Sequence, residues 1–170
     1  MKQLTSYIKE DFKLSKTTKI NNIVPETLED LGDIVYDRYM KNPYYLDLRD
    51  IDIRNIDDFH YIEREINGHN YAGLFCQFKK VRVIDITGWD TTYVTDMAFT
   101  FCGCSKLQEI KGIENLKVFN CGNFKSMFYN DSQLQSLNIE KWNINQDILQ
   151  NSDFMFYNVP KKLIPSWYKA

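Results

Sequence analysis

A repeat with a period of 26–28 residues constrains this chain more than any other feature. Four phenylalanines mark it, Phe75, Phe101, Phe128 and Phe156, at spacings of 26, 27 and 28 residues. Buried-type residues recur at fixed distances from these anchors, in three columns: Val81, Leu107 and Leu134; Ile84, Ile110 and Leu137; Trp89 and Trp142. A period of about 20–50 residues is the signature of stacked units, since a single unit cannot bury its own apolar face.

The apolar spacing within each unit predicts a short strand followed by a returning turn of helix. Alternation along the strand would place every second side chain in the interior. The same spacing fits once more upstream, at Leu48, Ile51, Ile53 and Ile56. We therefore expect an α/β repeat fold, a short leucine-rich-repeat-type solenoid with an N-terminal helical cap.

The remaining segments divide the chain into four parts. Residues 1–20 are basic, with apolar residues at four-residue spacing, and are predicted to form an amphipathic arm. Residues 21–43 are predicted to be a capping helix that starts near Pro25 and stops near Lys41. Residues 44–160 would form about four coils with an insert at 57–74, and residues 161–170 would cap the last coil.

One stretch of the repeat resembles a known family. The segment Trp89–Met97, followed by Phe101–Leu107, resembles the BspA-like leucine-rich repeat, which also occurs in mycoplasma-type surface lipoproteins. The resemblance extends over about residues 44–160 and implies a binding or surface-display module rather than an enzyme. The Lys-rich beginning is similar to that of small proteins of Bacteroidota and their large phages, which suggests a phage-encoded member.

Composition excludes several classes of function. The sequence has 21 Lys and Arg against 23 Asp and Glu, and so lacks the cationic surface that nucleic acid requires. It has no apolar run long enough to span a membrane and no secretion signal at its start. These features predict a protein of the bacterial host cytoplasm or of a virion, with no nucleic acid partner.

The chemically reactive residues are better explained by packing than by catalysis. Cys76, Cys102, Cys104 and Cys121 could be imagined as a four-thiolate zinc site, but they fall in three different columns of the repeat. Free cysteine behaves as a small buried apolar residue, so we interpret them as packing residues. Nothing in the sequence orients either histidine beside a thiol. We expect no catalytic residue, no metal and no cofactor.

Binding to another protein is therefore the predicted function, because a stack of strands presents an outward face. Two sets of candidate residues follow. The strand face offers Asp50, Asp52, Arg54, Val83, Asp85, Thr87, Glu109, Lys111, Ser136 and Asn138, and the insert offers His60, Tyr61, His69 and Tyr71. Two alternatives remain open: a virion-associated or assembly protein tethered by residues 1–20, and an intracellular inhibitor of a host defence protein.

Overall fold

The computed structural model describes residues 23–60, 64–66, 69–71 and 73–169. Its elements in chain order are the helix α1 (Leu28–Lys41) and the strands β1 (Tyr45–Asp47), β2 (Arg64–Ile66), β3 (His69–Tyr71), β4 (Val83–Asp85) and β5 (Glu109–Lys111). Two short 3-10 helices follow, at Ile113–Asn115 and Lys161–Leu163. No helix in these ranges combines the length and the apolar character that crossing a membrane requires.

Helix α1 forms where the sequence predicts a helix, but it begins later than expected. Thr27 is its N-cap: the Thr27 hydroxyl accepts a hydrogen bond from the Asp30 amide at 3.1 Å, and the Asp30 carboxylate accepts one from the Thr27 amide at 3.0 Å. This reciprocal pair satisfies two donors at the helix start and places Pro25 outside the helix. Leu31 and Val35 are fully buried, as the predicted apolar face requires.

The main sheet has three parallel strands in the order β1-β4-β5. In register, Leu46 lies beside Ile84, and Ile84 lies beside Ile110. These three residues are buried and form the interior face of the sheet. The sheet is small and open, with β1 and β5 at its edges.

The predicted solenoid fold is wrong. The described residues contain one α-helix, this open three-stranded sheet and the separate pair β2-β3, and residues 136–138, where the fourth strand was expected, have no strand. The returning segments are not helical either. They are successive turns, such as those closed by the Thr100 amide on the Met97 carbonyl and by the Cys102 amide on the Phe99 carbonyl. The sequence pattern therefore specifies which residues are buried, but not the α/β layers of a leucine-rich repeat.

The turns around each anchor phenylalanine share an unusual backbone. The residues two before and two after each anchor have positive φ: Gly73, Gln77, Phe99, Gly103, Ser126, Asn130, Phe154 and Asn158. A left-handed residue costs free energy unless it is glycine, so the surrounding structure must hold the others in place. Left-handed residues reverse the chain in these segments, which is why no helix forms there.

The anchor rings themselves stack in one buried column. Ring centroids are separated by 5.2 Å from Phe75 to Phe101, 5.5 Å from Phe101 to Phe128 and 5.6 Å from Phe128 to Phe156. The interplanar angles are 9°, 2° and 13°, so the rings are almost parallel. This column forms the centre of the hydrophobic core.

The upstream copy was placed in the wrong register. The residue beside Ile84 is Leu46 and not Ile51, and the Leu48 amide donates to the Asp85 carbonyl at 2.9 Å. Ile51 lies instead in a separate parallel bridge with Ile23. The apolar spacing admits both registers, because Leu46, Leu48, Ile51 and Ile53 are all buried.

The insert contains a pair of strands, and the C-terminal segment packs on the turns before it. Within residues 57–74, strands β2 and β3 pair antiparallel, with Ile66 opposite His69. At the other end, the Trp167 indole donates to the Ile139 carbonyl at 3.0 Å, and its ring stacks on Trp142 at 6.4 Å. The predicted boundaries of these segments, and the arm at residues 1–20, which lies outside the described residues, stay predictions.

Gly73→Ala is expected to lower the free energy of unfolding by more than about 2 kcal/mol. Gly73 has φ +91°, and a methyl group there would lie 2.2 Å from the Phe99 carbonyl oxygen. Gly88→Ala is the matched control, because Gly88 has φ +96° but no heavy atom within 4 Å of the added carbon. In the control, the free energy of unfolding should fall by only about 1–2 kcal/mol, the cost of a left-handed alanine. Urea unfolding of both variants measures the difference, and equal losses would contradict the close approach.

Candidate functional site

The outward strand face is less available than the sequence suggests. Asp85 is only 4% exposed, and its carboxylate accepts hydrogen bonds from the Tyr45 hydroxyl and the Thr87 amide, both at 3.1 Å. Burial and the neighbouring Asp85 charge raise the pKa of Tyr45 to about 12. Asp85 is therefore a structural residue, and its prediction as an outward contact is wrong.

The other residues predicted on this face differ in exposure. Val83, Glu109, Lys111 and Ser136 are half-buried, whereas Thr87 and Asn138 are exposed. The Lys111 ammonium lies 5.3 Å from the centroid of the Tyr45 ring, so part of its charge is directed at the protein itself.

The three upstream candidates, Asp50, Asp52 and Arg54, do not lie in the sheet at all. Asp50 accepts two hydrogen bonds from the Arg38 guanidinium, at 2.6 and 2.9 Å, and thereby ties helix α1 to the chain that follows β1. This pairing holds the pKa of Asp50 below its usual value. Asp52 instead pairs with Arg54, whose Nε lies 2.9 Å from the Asp52 carboxylate. Asp50 is thus a docking residue for α1, while Asp52 and Arg54 are available at the surface.

Asp52 and Arg54 belong to an open groove with a volume of about 380 Å³. Its lining consists of Arg49, Ile51, Asp52, Ile53, Arg54, Gly88, Asp90 and Tyr93. Ile51 and Ile53 lie beneath the groove as buried core residues, and the charged residues stand around them. The groove combines two arginines with two carboxylates and has no large net charge.

The lining of this groove includes an exposed aromatic side chain that the sequence analysis missed. Tyr93 is 69% exposed, and Phe119, on a neighbouring segment, is 51% exposed. The Asn120 side-chain amide donates to the Thr92 carbonyl at 2.8 Å, which brings the Tyr93 and Phe119 segments side by side. One feature of the sequence could have indicated that Tyr93 is exposed: it follows polar residues in the segment Trp-Asp-Thr-Thr-Tyr.

The four candidate residues of the insert are described to different extents. Tyr61 lies outside the described residues, and His69 and Tyr71 are placed only as members of β3. His60 is described, and its ring stacks on Phe99 with a centroid distance of 5.7 Å. The structure therefore orients one of the two histidines that the sequence left unoriented.

A column of Asp and Asn residues lies next to His60. Parallel bridges join Asp58 to Asp96, Asp96 to Asn123 and Asn123 to Asn151. In each of the four, the side-chain oxygen accepts a hydrogen bond from the amide two residues further along. This is an Asx turn, for which Asp and Asn serve equally well. We call these four residues the Asx column.

The acidic end of the Asx column could hold a metal ion. One ligand atom from each of Asp58, His60 and Asp96 lies within 4.8 Å of the others, and all three residues are half-buried. The His60 Nδ1 is 3.7 Å from the Asp96 carboxylate, and the Asn123 amide donates to the same carboxylate at 2.7 Å. Burial, with a smaller contribution from the Asp96 charge, raises the pKa of Asp58.

The cysteines lie in the core around the phenylalanine column. All four are free thiols, of which Cys76, Cys104 and Cys121 are buried and Cys102 is half-buried. The Cys104 thiol donates to the Phe75 carbonyl at 3.0 Å. Cys76 donates a hydrogen bond to Cys102, which lowers the pKa of Cys102. These contacts place the thiols as packing partners of neighbouring turns.

Asp131 is a buried carboxylic acid whose environment does not match its chemistry. It is fully buried, and neither carboxylate oxygen has a hydrogen-bond partner within the part of the chain that the structure describes. Burial, followed by the charge of Cys102, raises its pKa well above the usual value. Asp131 aligns with Cys104 and Phe78 in the repeat, so a carboxyl group occupies a column otherwise filled by apolar side chains.

The fold and the groove together describe a small protein built largely of successive turns, with an open groove on its surface. Residues 69–166 match the family described as "Mycoplasma protein of unknown function, DUF285". Since this match spans more than half of the 170 residues, the chain belongs to that family. The mycoplasma-type part of the resemblance is thereby confirmed, while a Bacteroidota or phage origin stays a prediction. No curated protein and no solved structure matches the chain.

Proposed function

We propose that this protein is a non-enzymatic protein–protein interaction module, and that the groove beside Tyr93 receives a segment of the partner. The observation that carries the proposal is the combination of two arginines and the exposed Tyr93 ring around one open groove. Tyr and Arg are enriched among the residues that dominate binding energy at protein interfaces. Membership of a family of unknown function is compatible with this role and adds no activity.

The charges of the groove favour a particular kind of partner segment. Arg49 pairs with Asp47, with Nε 2.8 Å from the carboxylate, and Arg54 pairs with Asp52. Because each arginine already has a carboxylate, a strongly acidic or basic segment would gain little from entering. A segment with mixed charges and an apolar side chain that packs on the exposed Tyr93 ring fits best.

Two substitutions distinguish this groove from the strand face. Tyr93→Ala and Arg54→Ala should each weaken partner binding by more than about 1 kcal/mol, or more than about fivefold in Kd. Asn138→Ala is the matched control, because Asn138 is an exposed residue of the predicted strand face and does not line the groove. Isothermal titration with the purified partner provides the measurement. If Asn138→Ala weakens binding and the groove variants do not, the strand face is the binding surface and the groove proposal fails.

The partner can be identified from the same positions. A photo-crosslinking amino acid at position 93 should give one discrete adduct in cell extract. An excess of unlabelled wild-type protein should suppress this adduct by competing for the partner, whereas an excess of the Arg54→Ala variant should not. Tyr157 is the control position, since it is 54% exposed and belongs to the turns around Phe156. Identical adducts from positions 93 and 157 would contradict a specific groove. The virion and inhibitor alternatives, like the cytoplasmic location, stay predictions, and tethering depends on residues 1–20.

A further inference from the structure

The Asx column consists of two Asp residues followed by two Asn residues, and His60 lies beside its acidic end. Asn123 and Asn151 occupy its third and fourth positions, and Asp58 and Asp96 its first and second. The turn geometry is the same at all four positions and is satisfied by either residue type. Turn formation therefore does not explain why two carboxylates are adjacent, and like charges in neighbouring positions repel.

His60 supplies what distinguishes this site from a cluster of acidic side chains. Its imidazole nitrogen Nδ1 is 3.7 Å from the Asp96 carboxylate, and the stacked Phe99 ring holds the plane of the imidazole. A nitrogen donor and two oxygen donors thus converge from two neighbouring turns of the chain. The Asn123 amide also donates to this same Asp96 oxygen at 2.7 Å and orients the carboxylate, as outer residues commonly do for metal ligands.

From this geometry we propose that Asp58, His60 and Asp96 bind one Zn²⁺ ion. Zinc takes imidazole nitrogen and carboxylate oxygen at about 2.0–2.2 Å, which places the ligand atoms of a tetrahedral ion about 3.4 Å apart. The three ligand atoms lie within 4.8 Å of one another, so side-chain rotations that shorten these separations by up to about 1.4 Å close the site. Three protein ligands leave a fourth position for water or for a group from a partner, because the residues are half-exposed.

The thiols make a control necessary, since zinc also binds cysteine. The test uses the full chain and titrates it with Zn²⁺ in a calorimeter, with Co²⁺ as a spectroscopic substitute. We expect one ion per chain. Asp96→Asn and His60→Ala should each weaken binding at least tenfold, because each removes one of three ligands. Asp96→Asn retains the turn, since Asn123 and Asn151 form the same turn naturally.

Asp153→Asn is the matched charge control. Asp153 is an exposed carboxylate outside the Asx column, and its removal should leave the affinity unchanged. Three results would overturn the proposal: the absence of saturable one-to-one binding, equal affinity in wild type and both ligand variants, and a Co²⁺ thiolate charge-transfer band that Cys102→Ser abolishes. Circular dichroism of each variant confirms that a loss of binding is not a loss of folding.

Discussion

Phe101→Ala is expected to destabilise the protein by about 3–5 kcal/mol. Phe101 is 1% exposed and lies between Phe75 and Phe128 at 5.2 and 5.5 Å. Truncation removes both ring pairs and leaves a cavity that the rigid turns on either side cannot close. For a chain of this size, such a loss lowers Tm by roughly 6–20 °C. Urea unfolding and thermal melts both measure it.

Phe154→Ala is the control, since Phe154 is 59% exposed although it is close in sequence to the last anchor. Its truncation should change stability by no more than about 0.5 kcal/mol. If Phe101→Ala does not fold, Phe101→Leu preserves most of the volume and should cost under about 1.5 kcal/mol. A loss of less than about 1 kcal/mol for Phe101→Ala would contradict the stacked core.

Asp131→Asn is expected to change how stability depends on pH. The pKa of Asp131 is raised in the folded protein, so the folded state keeps a proton that the unfolded state loses above about pH 4. The favourable contribution of the Asp131 proton to stability is therefore complete at pH values below the pKa of Asp131 in the unfolded state. It is lost as the pH rises toward the pKa of Asp131 in the folded state. Across that window, wild type should lose up to about 1.4 kcal/mol per pH unit relative to Asp131→Asn.

The measurement is urea unfolding of both proteins at several pH values between 4 and 8, with the difference taken at each pH. Every other titrating group is common to the two proteins and cancels. The variant should be more stable than wild type at the alkaline end, because its side chain cannot ionise in the unfolded state. A difference that is constant with pH would mean that the folded protein holds Asp131 ionised, with a partner not seen in this structure.

Much of the core was predictable, because burial follows from the repeat itself. The Phe column, the buried Val and Leu positions and the apolar face of α1 all follow from spacing alone. The returning segments were not predictable in the same way. Their direction depends on left-handed backbone at Phe99, Ser126 and Phe154, which are residue types without a preference for positive φ. The sequence therefore suggested helical turns where the chain makes a series of tight reversals.

The candidate site was harder to predict because alternation does not determine the environment of a polar residue. Asp85 has the strand position of an outward side chain, yet the Tyr45 hydroxyl covers it. The sequence predicts Asp50 as an exposed acidic residue, but the Arg38 guanidinium of α1 donates hydrogen bonds to it. Asp52 and Arg54 were found for the wrong reason, since they line a groove rather than a strand face. In each case the deciding contact comes from residues distant in sequence.

The aromatic cover at Trp167 and Tyr168 has a consequence for handling the protein. Tyr168 lies edge-on against Phe156 at 4.8 Å, and Trp167 closes over Trp142, so together they shield the last ring of the column. Removing residues 165–169 would uncover a flat apolar surface of the kind that self-associates. Light scattering of such a truncation should reveal concentration-dependent oligomers. Trp167 and Tyr168 therefore keep the last ring of the column away from such contacts.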